Sequence, residues 1–427
     1  MITHFKIPLL LCLLFTLNTS AQTKDLPEQL DEYLNHHDFF RLRTYFSLNQ
    51  SKLSPKQQLY FKAFIDNSFN QCKRSADEIR LLLATYKNQL NSKDIIALQT
   101  LQMDNYVKTY RYKAAAITGS QLIEKYSSDL DTAKLSDLKN TNILWKSLSN
   151  VAPQEVVRNS GASINWDRDI AGLMNIPVIV NGHHSEFIFD TGANISTISE
   201  SFAKQFHLQL IKTSFDLGSG TSVKNKATLA VAKDLKIGAI ELKNIVFIVL
   251  PDDQLSFPQI KYTIHGIIGF PVISQLGEIH IKTSGTLIIP AKGKHIAAPN
   301  LALDELFPII SLRTESDTLS YCFDTGAKQT ELFKLYFDKY KSEITQNGKL
   351  DSVKRGGAGG VVKYQVYKLP EFSFCVASKK VMLPDVHVLT SSDGGKDDFY
   401  YGNIGQDLIH RFNEMIIDFK RMYVDFK

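Results

Sequence analysis

The spacing of apolar and polar positions divides the chain into two halves. From Leu26 to about Val151, apolar residues recur at helical intervals. Leu59, Phe61, Phe64, Ile65 and Phe69 fall near i, i+3, i+4 spacing, as do Ile79, Leu82, Leu83 and Tyr86. Breakers are scarce: after Pro27 the prolines are Pro55 and, at the far edge, Pro153, and the one glycine is Gly119. Ser54 before Pro55 reads as a helix start, with serine as N-cap and proline at the first helical position. After Trp166 the pattern changes to short apolar runs broken by glycine and asparagine, the behaviour of an all-β region. Pro177–Val180 and Glu186–Phe189 flank Asn181-Gly182, a pair that supplies the two positive-φ residues of a tight hairpin turn.

The helical half carries a faint internal echo. Leu82–Tyr86 resembles Gln121–Tyr126 at an offset of 126 − 86 = 40 residues, within the roughly 34–47-residue period of helix-pair solenoids of the tetratricopeptide kind. We expect roughly three to four helical hairpins. They either bind a partner or prop the second half; a plain cover for that half is the alternative. Tyr106, Tyr110 and Tyr112 read as inter-helix core. His36-His37 reads as a solvated pair. Residues 152–165, richer in small and polar residues around Pro153 and Gly161, read as a linker.

The strand-rich half is written twice. Phe187-Ile188-Phe189-Asp190-Thr191-Gly192-Ala193 returns as Tyr321-Cys322-Phe323-Asp324-Thr325-Gly326-Ala327, 324 − 190 = 134 residues later. That interval is about the length of a small domain. Each copy goes on to a glycine-rich tip: Gly218, Ser219 and Gly220 in the first; Gly356, Gly357, Gly359 and Gly360 in the second. Each then reaches a late apolar-glycine element, Ile267-Ile268-Gly269 and Ile404-Gly405. The aspartate-to-glycine spacings agree, 269 − 190 = 79 and 405 − 324 = 81. An aspartate just past a buried strand is held rigidly, and the glycine two residues on lets the backbone fold closely round it.

Composition narrows the picture. A length of 427 residues exceeds one compact core, and 44% hydrophobic with 22% charged residues describes an ordinary folded protein. A formal charge of +5 without a basic run excludes a nucleic-acid arm. At the N-terminus, His4 and Lys6, the apolar run Ile7–Leu17 and the small residues Thr19–Ala21 read as a signal peptide cleaved after Ala21. The run is too short to span a bilayer, so an exported, periplasmic or secreted protein without a membrane span is expected. Beyond the signal, Cys72, Cys322 and Cys375 remain, and a Cys322–Cys375 bond or buried free thiols are both open. His183, His184, His265 and His280 lack ligand spacing and read as surface or turn residues. No metal or other cofactor is called for.

These duplicated motifs resemble those of the aspartic proteases, specifically the retropepsin-like group that carries Asp-Thr-Gly-Ala. The resemblance covers about residues 166–427 and implies an all-β bilobal protease fold after the all-α helical hairpins. The expected divisions are 1–21 signal peptide, 22–151 helical domain, 152–165 linker, 166–297 first β lobe and 298–427 second. It implies that Asp190 and Asp324 share one proton and activate a water against a peptide bond, since two adjacent carboxylates cannot both ionise cheaply. It further implies that Thr191 and Thr325 bond the opposite lobe's backbone, that Gly192 and Gly326 donate N–H groups to the carboxylates, and that the glycine-rich tips are flaps. Ala193 and Ala327 stand where many pepsin-like enzymes have a hydroxyl donor, which predicts a less acidic optimum than pepsin's. Asn403 replaces an apolar residue of the second late element. The rival expectations are a peptide-binding protein with a protease-like cleft, and lobes that pair between chains.

Overall fold

A computed structural model describes residues 24–158, 160–217, 225–357, 360–392 and 394–427. The signal-peptide reading of 1–21, and cleavage after Ala21, lie outside them. The expected division into a helical part followed by an all-β part is what the structure has.

Seven helices open the described chain: α1 (Leu26–Asn35), α2 (Phe39–Asn49), α3 (Pro55–Ser68), α4 (Cys72–Tyr86), α5 (Ser92–Lys108), α6 (Tyr112–Tyr126) and α7 (Thr132–Ser147). At α1, α2, α3, α5 and α7 the start is written in a side chain, that of Asp25, Asp38, Ser54, Asn91 and Asp131, which accepts an otherwise unpaired first-turn N–H. Ser54 and Gln57 form a reciprocal capping box ahead of Pro55, and Asn91 and Asp94 form another for α5. The pairs α1/α2, α3/α4 and α5/α6 each turn through one left-handed residue, His37, Asn70 and Tyr110. At Gly119 a Cβ would come within 2.6 Å of Asn142 Oδ1, so the missing side chain allows α6 and α7 to cross closely.

Among the described residues the β half contains two lobe sheets, a third sheet that joins them and a small two-stranded one, Ser256–Phe257 with Tyr262–Thr263. Strands Met174–Val180 and His183–Phe189 meet through Asn181 (φ 47°) and Gly182 (φ 85°), the turn that Asn-Gly predicts. In the first lobe, Gly266–Ile268 runs parallel to His183–Phe189 and antiparallel to Ser196–Ser199. In the second, Gly402–Ile404 runs parallel to Thr318–Phe323 and antiparallel to Glu331–Leu332. The joining sheet has the order Ala162–Asn165, Thr286–Ile289, Glu278–Lys282, Glu414–Asp418, Tyr423–Phe426. Both lobes therefore contribute to one base.

This arrangement corrects several expectations. The stretch 152–165 is no free linker. Glu155–Val157 pairs with Ile240–Leu250, and Ala162–Asn165 pairs with Thr286–Ile289, so backbone hydrogen bonding outweighs its small-residue composition. His280 is no surface residue: it lies in the joining sheet, bonded to Glu278 and Glu414. His37 is not merely solvated, because its Nδ1 lies 3.0 Å from the buried Asp304 carboxylate. The partners of both histidines come from distant segments, which local pattern does not reveal. Cys322 and Cys375 are free thiols, and burial pushes the Cys322 thiol well up.

The helical half packs on both lobes. Leu30, Leu42 and Phe61 share a buried cluster with Ala302, Ile309 and Val366 of the second lobe. Met103, Tyr112 and Trp145 belong to the large core that runs through both lobes.

Candidate active site

Asp190 and Asp324 each follow the last residue of a buried strand, Phe189 and Phe323. The late elements hold both from behind: Asp190 N–H donates to Ile268 O and Asp324 N–H to Ile404 O, each at 3.0 Å. Ile267 pairs with Ile188, while Asn403 pairs with Cys322 at the matching position. Glycine is required at the ends of these elements. A Cβ on Gly269 would meet Ala193 O at 2.6 Å, and one on Gly405 would meet Ala327 O at 2.8 Å.

Across the lobes the two loops clamp each other. The Thr191 hydroxyl donates to Phe323 O (2.9 Å) and accepts from Thr325 N–H (3.0 Å). The Thr325 hydroxyl donates to Phe189 O (2.9 Å) and accepts from Thr191 N–H (3.0 Å). Both threonines are buried, so all four bonds are shielded from water, where a lost partner costs most. Gly192 N–H donates to Asp190 Oδ1 (2.7 Å) and Gly326 N–H to Asp324 Oδ1 (2.8 Å). Each glycine also faces the other lobe's acid: a Cβ on Gly192 would lie 2.6 Å from Asp324, and one on Gly326 would collide with Asp190. The structure thus brings Asp190 to Ala193 and Asp324 to Ala327 together at one place, with Ile267-Ile268-Gly269 and Ile404-Gly405 behind them.

The pair is asymmetric. Asp324 also accepts from Ala327 N–H (3.1 Å) and from Asn403 Nδ2 (3.0 Å). The latter donor has no counterpart in Ile267 of the first lobe. Although part of Asp190 opens to the cleft, the protein packed round its carboxyl raises its pKa well above the ordinary range; the facing charge and hydrogen bond of Asp324 raise it further, against the Gly192 and Ala193 N–H groups. Asn403, noted in the sequence as a departure, is therefore a donor to the pair.

Sequence reading missed a support layer. Ser196 Oγ accepts from Gly269 N–H (3.0 Å) and Thr330 Oγ1 from Gly405 N–H (3.2 Å). A shared offset could have revealed them, since 196 − 190 = 6 and 330 − 324 = 6. Gln406, buried, donates from Nε2 to Thr325 O (2.7 Å) and accepts from Arg168. No counterpart in the first copy signals it, because Phe270 stands there.

The flap candidates Gly218, Ser219, Gly220 and Gly359 lie outside the described residues. Gly356, Gly357 and Gly360 lie in strands Lys349–Gly357 and Gly360–Val376, with Gly357 opposite Gly360.

The sequence model of a family described as aspartyl protease matches residues 176–272, the segment from the first hairpin through Gly269. This match supports an aspartyl-protease-type domain around Asp190. No curated protein matches the chain.

Proposed function

We propose that the protein is an exported aspartic endopeptidase, with retropepsin-like lobes on one chain, that hydrolyses peptide bonds with water activated by Asp190 and Asp324. The observation that carries the reading is the reciprocal Thr191–Thr325 clamp, which presents the two carboxylates to each other. Unequal surroundings support a division of roles within the pair. Asp190, whose carboxyl is pushed up, holds the shared proton. Asp324, with its three donors, is the base.

In the first step Asp324 takes a proton from the bound water as its oxygen bonds to the carbonyl carbon. Asp190 gives its proton to the carbonyl oxygen, leaving a neutral diol. In the second step Asp324 passes its proton to the amide nitrogen, the C–N bond breaks, and one diol hydroxyl returns a proton to Asp190. Acid and carboxylate are restored without a covalent intermediate.

Digestion of a peptide library across pH tests this, with wild type beside Asp190→Asn and Asp324→Asn. Wild type is expected to cleave, and each variant to lose at least about 10²–10⁴-fold in rate. A library left equally intact by all three sinks the reading, and full activity in either variant rules out the shared pair.

A further inference from the structure

We propose that the helical half supplies one wall of a substrate subsite that takes a large apolar side chain of the bound peptide, a few residues from the cleaved bond. The inference rests on the endopeptidase reading. A cavity of about 270 Å³ lies where three parts of the protein meet. Asn194 and Ile195 border it directly after the aspartate loop ends at Ala193, and Phe215 and Asp216 border it just before the first glycine-rich tip. Leu306 closes it from the second lobe. An extended peptide crossing Asp190 between that loop and the strand leading to the tip runs along this line. The remaining wall is helical, with Met103 from α5 and Leu144 and Trp145 from α7.

Size and lining select the occupant. The space is nearly twice the roughly 150 Å³ cavity that accepts a benzene ring, so a leucine, phenylalanine or tyrosine side chain fits. Burying such a side chain against these walls strengthens binding by roughly ten- to a hundredfold. Glu305 borders the same cavity and disfavours an acidic occupant. Trp145 borders the cavity and is only 7% exposed. Its ring also borders an adjoining cavity of about 290 Å³, where it stacks on Tyr112 at 5.9 Å.

The wall is fixed to the strand before the tip. Asn140 Nδ2 donates to Asp216 O (2.7 Å) while its Oδ1 accepts from Asp216 N–H (2.8 Å), so an α7 side chain mimics a neighbouring strand. Ser147 donates to Thr213 at 2.8 Å. Position and shape of the subsite are thereby set by α7.

The test uses full-length protein and cleaved peptides from the library, resynthesised in pairs with phenylalanine or alanine at each position flanking the cut. Thr141, half-buried at the cavity edge, is changed to tryptophan to fill the space. Ile143→Trp adds equal bulk on the exposed face of α7 as control. Wild type and Ile143→Trp are expected to favour phenylalanine over alanine at one position by about tenfold or more in kcat/KM. Thr141→Trp should bring that ratio close to one. Leu144→Ala, which enlarges the space, should shift the preference toward tryptophan, and it serves if Thr141→Trp does not fold. Cleavage with the same preference in both cavity variants overturns the subsite alone. Absence of cleavage by wild type overturns the endopeptidase reading and the subsite with it.

Discussion

Asn403 shows how one side chain makes two nearly identical motifs unequal. The alanines after the glycines leave both aspartates without the hydroxyl donor that a serine or threonine there provides, yet Asp324 recovers a donor from Asn403. Replacing it by isoleucine, the residue at the matching position of the first lobe, removes that donor, so ionising the pair becomes harder. The acid limb of the rate profile of Asn403→Ile should move to higher pH, because a hydrogen bond that favours the ionised pair is lost. A limb that stays, or moves to lower pH, counts against Asn403 as a donor to the working base. The motifs themselves are legible in sequence because turn, glycine and acid are neighbours. The donor is not, because Asn403 reaches Asp324 through strand pairing across 403 − 324 = 79 residues.

Among the elements, the α1/α2 turn is tied to the second lobe by one buried carboxylate. Asp304, 5% exposed, receives Lys396, His37 and the Tyr400 hydroxyl. Desolvation alone would raise its pKa, but Lys396 and His37 outweigh it and hold the group far below the ordinary range. The folded state thus binds this proton more weakly than the unfolded chain does. Its stabilising contribution is present above the ordinary value of 3.8 and drains away as pH falls from there toward the depressed native value. Asp304→Asn should cost about 1.5–3 kcal/mol at neutral pH, because the half-buried Lys396 and the Tyr400 hydroxyl lose a charged acceptor. Urea unfolding at pH 7 and pH 3 checks this, with the gap from wild type narrowing at the lower value. A gap that widens in acid refutes the assignment. Helices and strands were readable from period and caps, as at Ser54–Gln57 and Asn181-Gly182. The bond of His37 to Asp304 and the strand character of 152–165 were not, because both depend on segments more than a hundred residues away or on sheet edges that only the folded chain presents.

For the whole molecule, helices and lobes form a jointly buried structure. Removing residues 24–151 uncovers Ala302, Ile309 and Val366 on one lobe and the surface beneath Tyr112 and Trp145 on the other. A chain beginning at 152 should therefore melt at lower temperature and with less cooperativity than the full protein, since each large apolar contact removed is worth about 2–5 kcal/mol. Equal melting curves for the two would reduce the helical half to an independent cover.

The strand Gly402–Ile404 that supports Asp324 has a consequence for how the protein is made. A ribosome adds about 5–20 residues per second, so residue 403 follows residue 190 by 403 − 190 = 213 residues, on the order of 10–40 s. Throughout that interval Asp190 exists with no supported partner. A growing chain therefore has no assembled Asp190–Asp324 pair until the last strands of its second lobe have been made.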